Sequence, residues 1–381
     1  MVFSTRALVF SIFLSSLTVA CYCKGLAAKV QKSSTATPAL VPASFVFGDS
    51  LVDAGNNNYI RSLARANYPA NGIDFPGHVP TGRFTNNRTV ADIVGQLLGL
   101  PSFVPVFMNP TTKGKVILQG VNYASGGAGI LDFTGYAFIH RIPMWQQIKN
   151  FQNTSQQIMQ ILGPSAGATL IKNSVFSITM GANDYLNNYL VVASPTPRLY
   201  NPQNFQNLLI STFKQQLLML IESGACKFVI SNVGALGCTP YCMTTNKTTG
   251  GTCVQSDNTL VSGFNTALKS LIDQLNRQFP RAKFILANAF DVLLSLRNNP
   301  ATNGFSTVDQ ACCGVPIGPY HGLTPCFPRV AYCANRGQHL FWDPYHPTDA
   351  ANVIIANRFF TGPPADIYPI NIKALAALSM N

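Results

Sequence analysis

Five short apolar segments, rich in β-branched and aromatic residues, constrain this chain more than any other feature. They are Ser44 to Phe47 (SFVF), Gly120 to Ala124 (GVNYA), Ser174 to Met180 (SVFSITM), Lys227 to Val233 (KFVISNV) and Lys283 to Ala287 (KFILA). Such runs read as buried strands. Helical patterns alternate with them: Thr89 to Leu98, Asn204 to Glu222, Asp257 to Phe279 and Thr348 to Phe360. In the third, Leu260, Phe264, Leu268, Leu271, Ile272 and Leu275 share one face. Thr348, following Pro347, is placed to cap the last. The alternation predicts an α/β chain with a parallel sheet and helices on both faces. The segments lie far enough apart for right-handed crossovers. In such sheets ligands sit at the carboxyl ends of the strands, so a motif gains weight when it directly follows a strand.

The chain has 381 residues, 47% of them hydrophobic and 10% charged. It is long enough for a substantial core, and its apolar residues are spread too evenly for disorder. The start, MVFSTRALVFSIFLSSLTVACYC, carries Arg6, an apolar stretch from Ala7 to Ala20 and small residues after it. That is the pattern of a secretory signal peptide, placed at residues 1–23; the run is too short for a convincing membrane span. A Ser/Thr/Ala/Pro-rich flexible lead-in is expected over 24–42 and one domain over 43–381, with no later membrane span.

Of ten cysteines, eight fall between Cys226 and Cys333. In an exported chain this clustering reads as disulfides stapling C-terminal loops. A zinc site is disfavoured, because there are no CxxC pairs and no suitably spaced histidine. Sequons at Asn87, Asn153 and Asn246 agree with export. The net charge of +12 comes from scattered single residues, which excludes a nucleic-acid groove. It leaves room for weak adhesion to acidic cell-wall polymers. Oligomeric state is not legible.

Three motifs follow strands: Gly48-Asp49-Ser50-Leu51, Ser125-Gly126-Gly127 and Gly181-Ala182-Asn183-Asp184. A fourth, Asp343-Pro344-Tyr345-His346-Pro347-Thr348, precedes the last helix. The residue types suit acyl transfer. A serine hydroxyl needs an adjacent base, which His346 can supply to Ser50. Asp343 can orient the imidazole and stabilise its cation. The backbone N–H groups of Ser50 and Gly126 and the Asn183 amide are candidate donors to an oxyanion. Each motif alone is weak: a glycine pair after a strand usually makes a turn, and a histidine before proline usually just finishes a loop. Their joint placement at one sheet edge outweighs those readings.

The blocks FVFGDSLVDAGNNNY, GVNYASGGAGI, GANDY and FWDPYHPT, in that order, resemble the plant GDSL esterases/lipases within the SGNH hydrolases. TGRFTNNRTVADIVGQLLGL, VGALGCTP and ACCG are similar too, so the resemblance covers about Ser44 to Phe360. It implies a flavodoxin-like three-layer α/β/α fold with a five-stranded parallel sheet, and hydrolysis of carboxylic esters without metal or cofactor. It also implies a Ser50–Asp343–His346 triad, with Ser50, Gly126 and Asn183 as oxyanion donors, and an extracellular or cell-wall location. Cys226 stands where the family usually has Arg or Lys, and Cys242 looks additional. Cys226 begins the fourth expected strand and Cys242 lies beyond its end. That is roughly 20 Å at about 3.3 Å per residue, too far for direct pairing. Cys238 with Cys253 is the preferred loop disulfide; the connectivity of Cys312, Cys313, Cys326 and Cys333 stays open.

Gly163-Pro164-Ser165-Ala166-Gly167 matches the GxSxG nucleophile elbow, which needs a strand before it. Gln156 to Leu162 reads as helix, so Ser165 is set aside. The GGAG stretch lacks the spacing of a dinucleotide loop. Two alternatives remain at this stage. One is an acyltransferase using the same triad with an alcohol acceptor. The other is a non-catalytic extracellular glycoprotein binding acyl ligands or polysaccharide.

Overall fold

The computed structural model describes residues 38–380; the expected signal peptide and most of the expected lead-in lie outside them. The chain enters the fold earlier than expected. Val41 is already buried, and the Leu40 N–H donates to the Leu98 carbonyl, so the last lead-in residues are packed.

The first half runs β1 (Ser44–Gly48), α1 (Val90–Leu97), α2 (Met144–Leu162), α3 (Pro164–Asn173), β2 (Val175–Thr179), α4 (Ala182–Asp184) and α5 (Thr196–Leu199). Next come α6 (Pro202–Glu222), β3 (Lys227–Ser231), α7 (Pro240–Thr245), α8 (Gln255–Gln278), β4 (Lys283–Ala287) and α9 (Ala289–Asn298). The chain then passes through β5 (Thr307–Ala311) and β6 (His339–Phe341) to α10 (Asp349–Thr361), β7 (Ile367–Tyr368) and α11 (Ile372–Ala377). The four long helical patterns of the sequence are α1, α6, α8 and α10. Thr89 caps α1 in a reciprocal capping box with Asp92, and Thr348 caps α10 by accepting from Ala351 N–H.

The main sheet has the order β1-β2-β3-β4-β7. Its first four strands are parallel and in perfect register, so Gly48, Thr179, Ser231 and Ala287 end in one row. Side chains alternate between two cores. Phe45, Phe176, Phe228 and Phe284 occupy one register row facing α2, α6 and α8, with neighbouring centroids 5.0, 5.8 and 4.4 Å apart. Val46, Val175, Val229 and Ile285 face the other core, built with α1, α9 and α10. Burial on both faces explains why the strands read as continuous apolar runs.

The expected five-stranded parallel sheet needs one correction. Its fifth strand is β7, two residues pairing antiparallel with β4. Gly120 to Ala124 does lie alongside β1, on the side away from β2. It makes one isolated bridge there, Val46 opposite Asn122, through Val46 N–H to Val121 O at 3.0 Å and Tyr123 N–H to Val46 O at 2.7 Å. Gly120 sits at φ 104, where a Cβ would fall 1.8 Å from the Ser44 carbonyl oxygen. The chain is pinched there and cannot extend the ladder. Side chains hold the segment on its other edge: Asn56 Nδ2 donates to the carbonyls of Asn122 and Ala124, and Asn122 Nδ2 donates to that of Val52.

Among the described residues three disulfides join Cys238 to Cys253, Cys312 to Cys333 and Cys313 to Cys326; Cys226 and Cys242 are free thiols. Cys238 and Cys253 close a loop of 15 residues containing α7. Replacing both with Ala should lower unfolding free energy by about 3 kcal/mol, the loop-closure entropy of about 15 residues. Denaturant unfolding checks this; an unchanged midpoint would mean the loop is held by packing alone.

Candidate active site

Ser50 lies two residues beyond the end of β1, and the turn that carries it is fixed from three sides. Gly48 must be glycine, because a Cβ would lie 2.5 Å from both the Thr179 carbonyl oxygen and a Val52 methyl. Asp49 N–H donates to Thr179 O at 3.1 Å, tying the turn to β2. Buried Gln147, from α2, takes hold of both backbone groups of Gly48. Its Oε1 accepts from Gly48 N–H at 2.9 Å and its Nε2 donates to Gly48 O at 2.8 Å.

The Asp-Pro-Tyr-His stretch follows β6 and folds back onto the row of strand ends. Asp343 Oδ1 accepts the backbone N–H groups of Tyr345 and His346 at 2.9 and 2.8 Å. Its carboxylate also meets His346 Nδ1, Oδ2 at 2.7 Å. The three-residue spacing lets one carboxylate fix both the backbone and the ring of the same histidine. The other ring nitrogen, Nε2, is 2.8 Å from Ser50 Oγ. With Nδ1–H donated to Asp343, Nε2 is the acceptor of the serine hydroxyl proton. Asp343 and His346 are buried, while Ser50 is half-buried. Phe84 covers the imidazole at 5.1 Å between ring centres.

The expected oxyanion donors divide. Asn183, in α4 just after β2, reaches the cavity. It gives one N–H to Ala128 O at 2.9 Å, and its Oδ1 accepts from Asn187 Nδ2 at 2.5 Å. This leaves its second N–H to offer. Gly126 does not fit the role expected of it. Its N–H donates to Asp53 Oδ2 at 3.0 Å and is spent on the scaffold. The next residue, Gly127, borders the cavity instead, at φ 81. Among the described residues neither the Ser50 nor the Gly127 backbone N–H has a protein acceptor. Ser165 lies exposed in the first turn of α3, preceded by α2 and not by a strand.

Above Ser50 opens a cavity of about 470 Å³, walled largely by apolar side chains such as Leu63, Phe138, Leu186, Leu236 and Phe327. An acyl chain or an apolar alcohol can lie against them with its carbonyl at Ser50. Among the described residues no group of three or more His, Cys, Asp or Glu is arranged to hold a metal ion.

Residues 45–359 match the GDSL-like Lipase/Acylhydrolase family. The chain belongs to that family. One GDSL esterase/lipase of Arabidopsis thaliana is 44% identical over 343 residues, which is 90% of this chain and 92% of the relative. A second from the same plant is 46% identical over 338 residues, 87% of each chain. The protein is therefore a GDSL esterase/lipase, a carboxylic ester hydrolase by family.

Three supporting residues of this GDSL site escaped sequence reading. Gln147 had one trace, a polar residue on the otherwise apolar face of Met144, Ile148 and Phe151. Asp53 accepts from the N–H groups of Gly55, Asn56 and Gly126, joining the Ser50 turn to the glycine turn. Asp184 accepts from Ile130 and Leu131 N–H and from Thr134 Oγ1. Burial raises both carboxyls to about 6, and these donors hold them down against it. Nothing in local sequence shows that these aspartates are buried; that depends on segments brought together from far apart.

Asp49, beside Ser50, is held differently. Its Oδ1 accepts from Leu51 N–H at 3.0 Å, but its Oδ2 is buried without a partner. Burial pushes it from 3.8 up to about 7. Its proton is thus bound more tightly in the folded chain. The stability it contributes is full below 3.8 and is lost as pH rises through about 7. Asp49→Asn keeps an acceptor for Leu51 and removes the titration. From pH 5 to 8 the wild type should lose roughly 2–3 kcal/mol relative to this variant. Parallel urea titrations at the two pH values check this; parallel loss in both proteins would place the titration elsewhere.

Proposed function

We propose that this chain is an exported serine hydrolase that cleaves esters of apolar acyl groups through an acyl-Ser50 intermediate. The observation that carries the reading is the continuous line from Asp343 through His346 Nδ1 and Nε2 to Ser50 Oγ, closed at 2.7 and 2.8 Å. Ser50 Oγ attacks the ester carbonyl carbon while its proton passes to His346 Nε2. Asp343 holds the resulting imidazolium. The carbonyl oxygen becomes an anion facing Ser50 N–H, Gly127 N–H and the second Asn183 N–H, with Gly127 in place of Gly126. Collapse breaks the bond to the alcohol oxygen, which leaves with the proton from His346. Water then gives a proton to His346, attacks the acyl carbon and releases the acid, and Oγ recovers its proton.

The apolar cavity supports acyl or lipid-like substrates over strongly charged ones. Export is supported by the leader-like first 23 residues and by three disulfides, which persist in oxidising compartments. Asn153 and Asn246 are exposed and suited to glycosylation; Asn87 is half-buried with its Oδ1 enclosed and suits it less.

Ser50→Ala should abolish both turnover of a chromogenic ester and labelling by a serine-reactive phosphonate, with the melting temperature unchanged. Ser165→Ala should retain both. Loss of labelling in the second variant alone would move the nucleophile. Asn183→Ala should lower kcat by about 10²–10³ with KM little changed, because an oxyanion donor acts chiefly in the transition state. Steady-state kinetics decide: a raised KM with kcat intact would make Asn183 a ground-state contact.

A further inference from the structure

The rim of the Ser50 cavity carries large apolar side chains that face outward. Leu63 is 66% exposed and Phe327 45% exposed, and both also line the cavity. Beside them Tyr136 is 63% and Ile139 47% exposed. Single exposed apolar residues are ordinary, but a group of them around a binding mouth marks an interaction surface.

The rim is built, not loose. Leu63 N–H donates to the Phe138 carbonyl at 3.0 Å, joining the loop of residues 59–65 to that of 136–141. Across the mouth, Phe327 follows Cys326, which is fixed by its disulfide to Cys313. Ile139 has φ 72 and ψ −67, a backbone region that β-branched residues avoid. A strained isoleucine left half in water gains little from core packing. Strain of this kind persists where the surrounding structure imposes it, commonly at functional sites.

The charge on the rim has one dominant sign. Residues 59–65, 132–141 and 323–330 contain Arg61, Arg65, Arg141 and Arg329 against the single acid Asp132; Arg65 and Arg141 are half-buried and donate to the Ile60 and Thr134 carbonyls, while Arg61 and Arg329 are exposed. Arg141 lies over the Tyr136 ring at 4.3 Å, so the basic and apolar parts of the rim are interleaved. A purely acidic polymer would need the basic residues but not the outward Leu63, Tyr136 and Ile139. A surface that is anionic at its headgroups and apolar just below matches both.

We propose that this rim seats the protein on an anionic lipid surface, with the mouth of the Ser50 cavity against the interface. Apolar side chains enter the headgroup boundary while the exposed Arg61 and Arg329 pair with headgroup charge. The seat is a property of the rim, independent of turnover at Ser50.

The test uses the full chain carrying Ser50→Ala, so that lipid is not consumed, and flotation with vesicles. Binding to vesicles of phosphatidylcholine with phosphatidylglycerol should exceed binding to pure phosphatidylcholine at least tenfold. Arg61→Gln should weaken it about fivefold, the share of one basic residue near such a surface. Tyr136→Ser with Ile139→Gly should weaken it at least tenfold. Ile139→Gly alone relieves the backbone, so the fold should be at least as stable while binding falls. With Ser50 restored, the same two substitutions should leave hydrolysis of a short water-soluble ester within twofold. Unchanged vesicle binding in the Tyr136/Ile139 variant would overturn the proposal. So would retention on polygalacturonate without vesicle binding. If the wild type binds vesicles as expected but hydrolyses no ester, the hydrolytic reading fails and the seat stands.

Discussion

Four parallel strands end on one line, Gly48, Thr179, Ser231 and Ala287, and the geometry of the site follows from that register. The phenylalanine row at Phe45, Phe176, Phe228 and Phe284 lies under the sheet and fixes the strands relative to one another. A slip of one residue would send each of these rings to the opposite face. With the register fixed, the turns that leave Gly48 and Thr179 emerge side by side. Ser50 and Asn183 then border the same cavity although 133 positions separate them in the chain.

Holding those turns still falls to buried polar side chains. Gln147 holds both backbone groups of Gly48, and Asn56 and Asn122 hold the carbonyls of Asn122, Ala124 and Val52. Buried polar groups are favourable only when satisfied. Asp53 and Asp184 meet that condition through three donors each. Asp49 does not meet it, and its raised carboxyl next to Ser50 is the result. The Ser50 turn thus combines a rigid polar frame with one imperfectly satisfied carboxyl.

His346 arrives from the far end of the chain. The segment before it is held by the Cys312–Cys333 and Cys313–Cys326 bridges and by the short parallel pair β5 and β6. Trp342 N–H donates to His346 O at 2.7 Å, and Trp342 Nε1 donates to Asn71 Oδ1 at 2.9 Å. These contacts turn a loop without long regular structure into a fixed support for Asp343 and His346. The cysteine cluster near the C-terminus therefore has a reason beyond general stability: it steadies the support of the histidine.

The sequence alone determined four of the five expected strands, the helices α1, α6, α8 and α10, the Thr348 cap and the meeting of Asp343, His346 and Asn183 near Ser50. Each of these is written in local pattern: apolar runs, helical spacing, a capping residue, motifs directly after strands. Tertiary structure decided what depends on encounters between distant segments. Whether Gly120 to Ala124 could complete a ladder depended on the approach of Ser44. Which glycine N–H stayed free depended on where the Asp53 carboxylate landed, so that Gly126 was taken and Gly127 left. The role of Gln147 likewise appeared only once α2 had packed against β1. Hydrogen-bond capacity is carried by the residue, but its partner is chosen by packing, and no local window of sequence contains both.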